Sequence, residues 1–168
     1  VGRGIKERMV SMRYNSRDSE EAVVGGLLLE PSVDKILLTR LTPEDFSDDK
    51  LSYIFMSILE MVKKKISVDA VTVRDYIDLK KQPNDRSWAV NFEDLALLLE
   101  NSLGSTNIQS YARHIRECRI KNAVEDLKKN INYDNYQETV SQIQNLELEL
   151  EDKDESSIKA IVGKTVDY

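Results

Sequence analysis

Cysteine, histidine, proline and glycine are all scarce in this 168-residue chain, and each shortage removes a class of protein. The single cysteine, Cys118, excludes an internal disulfide and cysteine-based zinc motifs, and it fits a reducing, cytoplasmic compartment. The single histidine, His114, leaves no histidine-based metal site and no Ser/His pair. Three prolines and six glycines leave few helix breakers. No run approaches the roughly 18–20 apolar residues needed to span a bilayer, and the N-terminus lacks a signal peptide's apolar core. With a net charge of −6, the chain as a whole is a poor surface for nucleic-acid phosphates. Gly163-Lys164-Thr165 resembles the end of a phosphate-binding loop, but the position that needs the first glycine is Ile158. No other nucleotide or nucleophile motif occurs, and the carboxylates form no singled-out pair. Catalytic, cofactor and metal residues are therefore expected to be none, and the chain is not expected to be an enzyme.

What remains is a succession of amphipathic helices, and the expected fold class is all-α. Residues 1–17 carry Arg3, Lys6, Arg8 and Arg13 without a clean period and are expected to be a disordered basic tail, with Met9 or Met12 a candidate natural start. Asp18-x-x-Glu21 has capping-box spacing ahead of a first helix containing Gly25-Gly26. Two adjacent helix glycines cost roughly 1 kcal/mol each against alanine; either another backbone approaches closely or the helix kinks there. A second helix carries Val33, Ile36, Leu37 and Leu41. Phe46 follows the Thr42–Asp45 turn as a core plug. A third helix has the cleanest stripe, Leu51, Ile54, Phe55, Ile58, Leu59 and Val62. Asp69 is expected to cap a fourth helix bearing Val71, Val73, Tyr76, Ile77 and Leu79. Residues 80–90, with Trp88, read as a loop. A fifth helix, Phe92–Asn101, is apolar nearly all round and is expected in mid-core.

Two longer helices follow, Asn107–Ile131 and Tyr136–Glu151, joined by a short Asn/Tyr break into a hairpin. The first has one stripe of Ile108, Tyr111, Ala112, Ile115 and Cys118, then shifts phase to Ile120, Val124, Leu127 and Ile131. Two offset faces fit two packing partners, the chain's own core and a second copy; the alternative is an ordinary bundle hairpin with no partner. Beyond them lies an acidic connector, Glu147–Glu155, and a short amphipathic run of Ile158, Ile161, Val162 and Val166 whose apolar face needs something to dock on. The expected division is a tail 1–17, a globular subdomain 18–104, a helical hairpin 105–151, which the resemblance described next makes a dimerisation element, and an acidic connector with a short helix 152–168, which the same resemblance makes a linker helix.

Several segments carry a resemblance. Ser19–Glu30, Pro43-Glu44-Asp45-Phe46, Ile54-Phe55 with Ile58-Leu59, Val68–Thr72, Ser105–Ile108, and Tyr111-Ala112 with Ile115-Arg116-Glu117 stand in the order found in the N-terminal domain of DnaB-type replicative helicases. The likeness covers about residues 18–130, and Ile158–Val166 looks like the start of that family's interdomain linker helix. One departure is the segment Asn84–Trp88, where the family usually has a Gly-Gly turn.

The resemblance implies a compact bundle of about five to six helices, an extended hairpin and a short linker helix. It further implies a collar scaffold in DNA replication, bacterial or phage-encoded. Hairpins pair, three pairs form a hexameric ring, and primase or a helicase loader docks there. The linker helix packs on a neighbouring subunit's motor domain, where ATP and magnesium would bind; no cofactor is expected in this chain. The interface expected on the hairpin is Tyr111, Ile115, Cys118, Val124, Leu127 and Ile143. Competing readings are a stand-alone regulator that imitates the collar, or the helicase-binding domain of a primase. A weaker competitor is DNA binding through the basic arm.

Overall fold

The computed structural model describes residues 13–80, 90–102 and 107–166, with side chains described as far as Glu151. Among the described residues the fold is all-α. Seven α-helices follow in order: α1 Arg17–Leu29, α2 Val33–Thr39, α3 Asp49–Lys63, α4 Ala70–Lys80, α5 Phe92–Asn101, α6 Ile108–Lys129 and α7 Tyr136–Val166. A 3-10 turn, Pro43–Asp45, sits between α2 and α3. The chain forms two compact units, one from Asn15–Arg116 and the other from Glu117 onward together with Arg13 and Tyr14. Residues 81–89, with Trp88, lie outside the described part.

In the first unit the helix ends follow from side-chain chemistry. Ser32 accepts a hydrogen bond from the Lys35 N–H (3.1 Å) and Asp48 accepts one from the Leu51 N–H (2.9 Å), each satisfying an orphan donor of the first turn. Asp69 caps α4 as its sequence suggests, accepting from the Thr72 N–H at 2.8 Å while its own N–H donates to Thr72 Oγ1 at 2.8 Å. α3 ends in a Schellman turn: the Ile66 N–H reaches the Met61 carbonyl (2.8 Å) and the Lys65 N–H reaches that of Val62 (3.1 Å), with Lys65 in the left-handed region.

The core gathers Val23, Val24 and Leu27 of α1, the α3 stripe, Val73 and Ile77 of α4, Leu95 and Leu98 of α5, and Ile108, Ala112 and Ile115 of α6. Phe46 plugs it as expected, its ring centroid 4.8 Å from that of Phe55. Helix α1 packs against α5 and α3, and α4 bridges α3 and α5. Sequence periodicity overcounted the core at the edges. On α2, Ile36 is buried but Val33 and Leu37 are exposed, and on α4 Val71 and Leu79 point outward. Helix α5 is not a mid-core helix: Leu95 and Leu98 are buried, whereas Phe92 and Leu97 face out. A ten-residue helix against one layer can bury only one stripe, whatever the rest of its surface contains.

Two features of α1 fix this unit. The helix opens at Arg17, with Ser16 at the N-cap position, rather than at Asp18 or Ser19. Glu20, not Glu21, is the carboxylate that matters there. It is fully buried and accepts four hydrogen bonds: Oε1 from the N–H groups of Ser47 (2.6 Å) and Asp48 (3.1 Å), and Oε2 from the hydroxyls of Ser47 (2.6 Å) and Ser16 (2.8 Å). Glu21 lies on the outer face with Arg17, at 3.2 Å. The second feature is Gly25. A Cβ there would stand 2.4 Å from the Leu98 carbonyl oxygen and 2.8 Å from Ser102 Cβ. Close backbone approach, rather than a kink, is therefore what this glycine serves.

Residues Arg13–Arg17, expected at the end of a disordered tail, are instead part of the fold. Arg17 bonds to Asp48 at 2.8 Å, and Arg13 to Asp126 at 2.7 Å. Local polar contacts of this kind have no period and leave no trace in a hydrophobic pattern. The acidic stretch after Glu147 also departs from expectation: α7 continues unbroken through it to Val166, and Ser156-Ser157 starts no separate helix. Glu and Lys are good helix formers, and neither proline nor glycine interrupts the chain between Tyr136 and Val162.

Two substitutions test these contacts by urea unfolding followed by helicity. Gly25→Ala should destabilise by about 2 kcal/mol, because the Leu98 carbonyl is main chain and cannot rotate away. Glu20→Leu should cost about 3 kcal/mol or more by stranding two backbone donors, whereas Glu20→Gln should cost only about 1 kcal/mol, since its amide oxygen can still accept from both N–H groups while the hydroxyls turn to accept from its NH₂.

Candidate functional site

The second unit is a helical hairpin. Its α6 arm carries Ile120, Val124, Leu127 and Ile131, and its α7 arm carries Thr139, Ile143, Leu146 and Leu150. Both sets are spaced four, three, four, the alternation of an antiparallel coiled-coil seam. The turn between them is built without glycine or proline. Asn132 Oδ1 accepts from the N–H groups of Asp134 and Asn135 (both 3.0 Å), Asn135 Oδ1 accepts from the Asn132 N–H (2.7 Å), and Asn135 Nδ2 donates to the Asn130 carbonyl (3.0 Å). Asparagine side chains thus do here what special backbone angles do in most tight turns. Far from that turn, Arg119 Nη2 meets Glu149 Oε1 at 2.8 Å and pins the register of the two arms.

The N-terminal segment is tied to the outside of α6. The Tyr14 N–H donates to Asn122 Oδ1 and Asn122 Nδ2 donates to the Tyr14 carbonyl, both at 3.0 Å, so one amide side chain satisfies both main-chain groups of one residue. The Lys121 ammonium lies 5.3 Å from the Tyr14 ring centre, at cation–π distance. Sequence reasoning missed this clamp; only a side-chain amide at 122 hinted at it.

The six hairpin residues expected at an interface do not share one environment. Ile115 is fully buried in the core of the first unit, so it has no surface to offer a partner. Cys118 and Val124 are likewise buried within the single chain. Leu127 and Ile143 are half-buried, and Tyr111 is exposed. The same half-buried state holds for Ile131, Leu146 and Leu150. These three extend the apolar strip, and the four–three–four spacing is the signal that finds them. Around the turn, Tyr133 is fully exposed and Tyr136 largely so, and Leu148 is exposed on α7. Ile158, Ile161, Val162 and Val166 fall on the last turns of α7, outside the described side chains.

Arg116, one of the residues behind the family resemblance, is buried and donates to the Thr39 carbonyl at the C-terminus of α2. A guanidinium there complements the negative end of the helix. The Thr39 hydroxyl donates to the Ile36 carbonyl at 2.6 Å, and Arg40 follows in the left-handed conformation that ends the helix. The role of Arg116 is thus to anchor α2.

Elsewhere the ionisable groups form ordinary surface pairs. Glu60 is held below its usual range by hydrogen bonds from Lys80 and from the Tyr76 hydroxyl (2.7 Å), and Lys80 is raised by the same contacts. Asp94 is lowered by its hydrogen bond from Lys50 and by the Asn91 N–H. Arg17 is raised, first by Glu21. His114 lies on the surface, its Nε2 3.4 Å from the Asn15 carbonyl. Among the described residues no group of three or more potential ligands is placed to hold a metal ion. A cleft of about 410 Å³ is lined by Arg74, Asp78, Val90, Asn91, Phe92 and Glu93, with the Arg74 guanidinium 5.9 Å from the Phe92 ring centre. That lining offers a stacked cation and carboxylates but no nucleophile beside a base. No helix among the described residues is long and apolar enough to cross a membrane.

Comparison with known proteins places this architecture. The model of the DnaB-like helicase N terminal domain matches residues 12–117. The replicative DNA helicase DnaB of Rhodothermus marinus is 28% identical over 106 residues, 63% of this chain and 11% of that protein. The replicative DNA helicase DnaB of Buchnera aphidicola subsp. Baizongia pistaciae is 25% identical over 103 residues, 61% of this chain and 22% of that protein. The chain thus spans about a tenth of the length of the first relative and just under a quarter of the second. Among solved structures, the N-terminal domain of the Mycobacterium tuberculosis DnaB helicase superposes with a TM-score of 0.63 at 21% identity, covering 80% of this chain and 97% of that one. A DnaB-like replicative helicase, described with its interactions with primase, gives a TM-score of 0.59 at 22% identity over 80% of this chain and 31% of that one. With 106 of its 168 residues matched by the family model, the chain belongs to the DnaB-like helicase N-terminal domain family.

Proposed function

We propose that this domain is a non-catalytic collar of a replicative helicase, self-associating through its hairpin and offering a platform to primase or a helicase loader in the cytoplasm. The observation that carries the proposal is the unfinished hairpin. On its seam Leu127, Ile131, Ile143, Leu146 and Leu150 all remain half-buried in the single chain. A second hairpin would complete a four-helix bundle and cover them. The interface on this reading is Leu127 and Ile143 with Ile131, Leu146 and Leu150, and Tyr111 at its margin. Ile115, Cys118 and Val124 support it from within the chain.

Larger rings, up to three pairs, build on that unit. Primase recognition is carried over from the DnaB-like helicase described with primase. The C-terminal turns of α7 would meet a neighbouring motor domain through Ile158, Ile161, Val162 and Val166. ATP and magnesium belong to that motor, and DNA unwinding is the activity of the whole helicase.

Light scattering at micromolar concentration should give a mass of two chains or a multiple of two. Leu127→Asp should shift it to one chain while helicity is retained, because an unpaired charge buried in an interface costs several kcal/mol. Ile115→Asp should behave differently, unfolding the first unit whatever the oligomer does. A strictly monomeric wild-type chain would overturn the collar reading.

A further inference from the structure

Helix α5 has an outward side that is apolar in part and charged with one sign. From Phe92 to Asn101 it contains Glu93, Asp94 and Glu100 and neither lysine nor arginine. Leu95 and Leu98 mark its buried side. Glu93, Leu97 and Glu100 follow one another at spacings of four and three residues, so they form one stripe, and all three are exposed. Leu97, 56% exposed, thus stands one turn from a carboxylate on either side. At 1.5 Å per residue the stripe is about 10 Å long. Its first turn borders the cleft that α5 shares with α4, where the Asp78 carboxylate and the exposed Phe92 ring join it.

The cations of the helices around α5 are engaged elsewhere. On α4, Arg74 bonds to Asp75 at 2.9 Å with its guanidinium near the Phe92 ring, and Lys80 bonds to Glu60. Lys50 of α3 holds Asp94 at 2.7 Å. Arg17, the one cation of α1, bonds to Glu21 and Asp48. Each of them offsets a carboxylate outside the stripe, and Glu93 and Glu100 set the sign of the stripe itself.

From this arrangement we propose that the α5 stripe docks a basic amphipathic helix of another protein. The apolar row of such a helix would cover Leu97 and Phe92, and the lysines or arginines bordering that row would stand beside Glu93, Glu100 and the Asp78 side of the cleft. Burial of the two apolar side chains supplies attraction, and the carboxylates select a basic helix over an acidic one. The face belongs to the first unit and uses no hairpin residue, so the proposal goes beyond the self-association reading above and stands without it.

Fluorescence anisotropy tests it on the full chain. The probe is a labelled peptide of about 18 residues, made of leucine, alanine and arginine in an amphipathic helical pattern, with a twin in which glutamate replaces every arginine. The arginine peptide should bind about tenfold or more tighter than its twin at low salt, and the preference should shrink in about 0.5 M salt. Replacing the two stripe carboxylates together, Glu93→Gln with Glu100→Gln, should weaken binding about tenfold. Leu97→Ala should weaken it about fivefold. Asp134→Asn with Glu138→Gln makes the same change of net charge at exposed positions of the second unit and should leave the affinity as it was. A peptide that does not bind, a twin that binds equally, or a control pair that weakens binding as much as the stripe pair would overturn the proposal. Leu97→Ala that instead lowers the chain's own oligomeric mass would give the face to a second copy and overturn it as well. Leu127→Asp should not change peptide affinity, so failure of the hairpin reading and failure of this one are read separately.

Discussion

The buried carboxylate of Glu20 is the contact on which the first unit depends. It is a polar group fully buried in the core, and it is tolerated because four donors converge on its two oxygens. Those donors come from the start of α1 and from the residues that begin α3. One side chain therefore sets the distance and angle at which two helices enter the core. With α1 so held, Gly25 brings it against the α5 main chain, and Val23, Val24 and Leu27 are buried in the core. Hydrophobic burial supplies most of the driving force, but it is indifferent to rotation and register. The polar contacts choose among the packings that burial alone would accept.

The hairpin solves the same problem with different parts. Its seam has the regular spacing of a coiled coil, which by itself permits sliding by a heptad. Arg119–Glu149 at one end and the asparagine-bonded turn at the other remove that freedom. The arms are held in one register within the single chain. A surface preorganised in this way loses less conformational entropy on association than a pair of loose helices would.

How much of this was legible in the sequence follows from the range of each interaction. The α3 stripe, Phe46 and the Asp69 cap rest on spacing within a few residues; Phe46, the cap and Leu51, Ile54, Phe55 and Ile58 stand as read, whereas Leu59 and Val62 are only half-buried and Met61, outside the stripe, is fully buried. The phase shift near Cys118 falls where α6 passes from one compact unit to the next. The choice of Glu20 over Glu21 was not legible, because both precede the same apolar run and three of the four donors to Glu20 come from 27 or 28 residues away. Burial of Ile115 was misassigned for a similar reason. A stripe tells which residues avoid water, but not whether the chain itself or a second copy shields them. The exposed Phe92 and Leu97 of α5 show the converse, apolar residues with no cover in the single chain.

The Gly25 contact has an implication for how sequences of this fold can drift. Most tight contacts between helices involve two side chains, so an enlargement on one side can be offset by a reduction on the other. Here the atom nearest the missing Cβ is a main-chain oxygen, present whichever residue occupies position 98. Shrinking Ser102 would relieve only the second contact. No single compensating change can restore the fit, and an alanine at position 25 becomes tolerable only if the main chain of α5 withdraws. Glycine at this position is a commitment made by the backbone rather than by its neighbours.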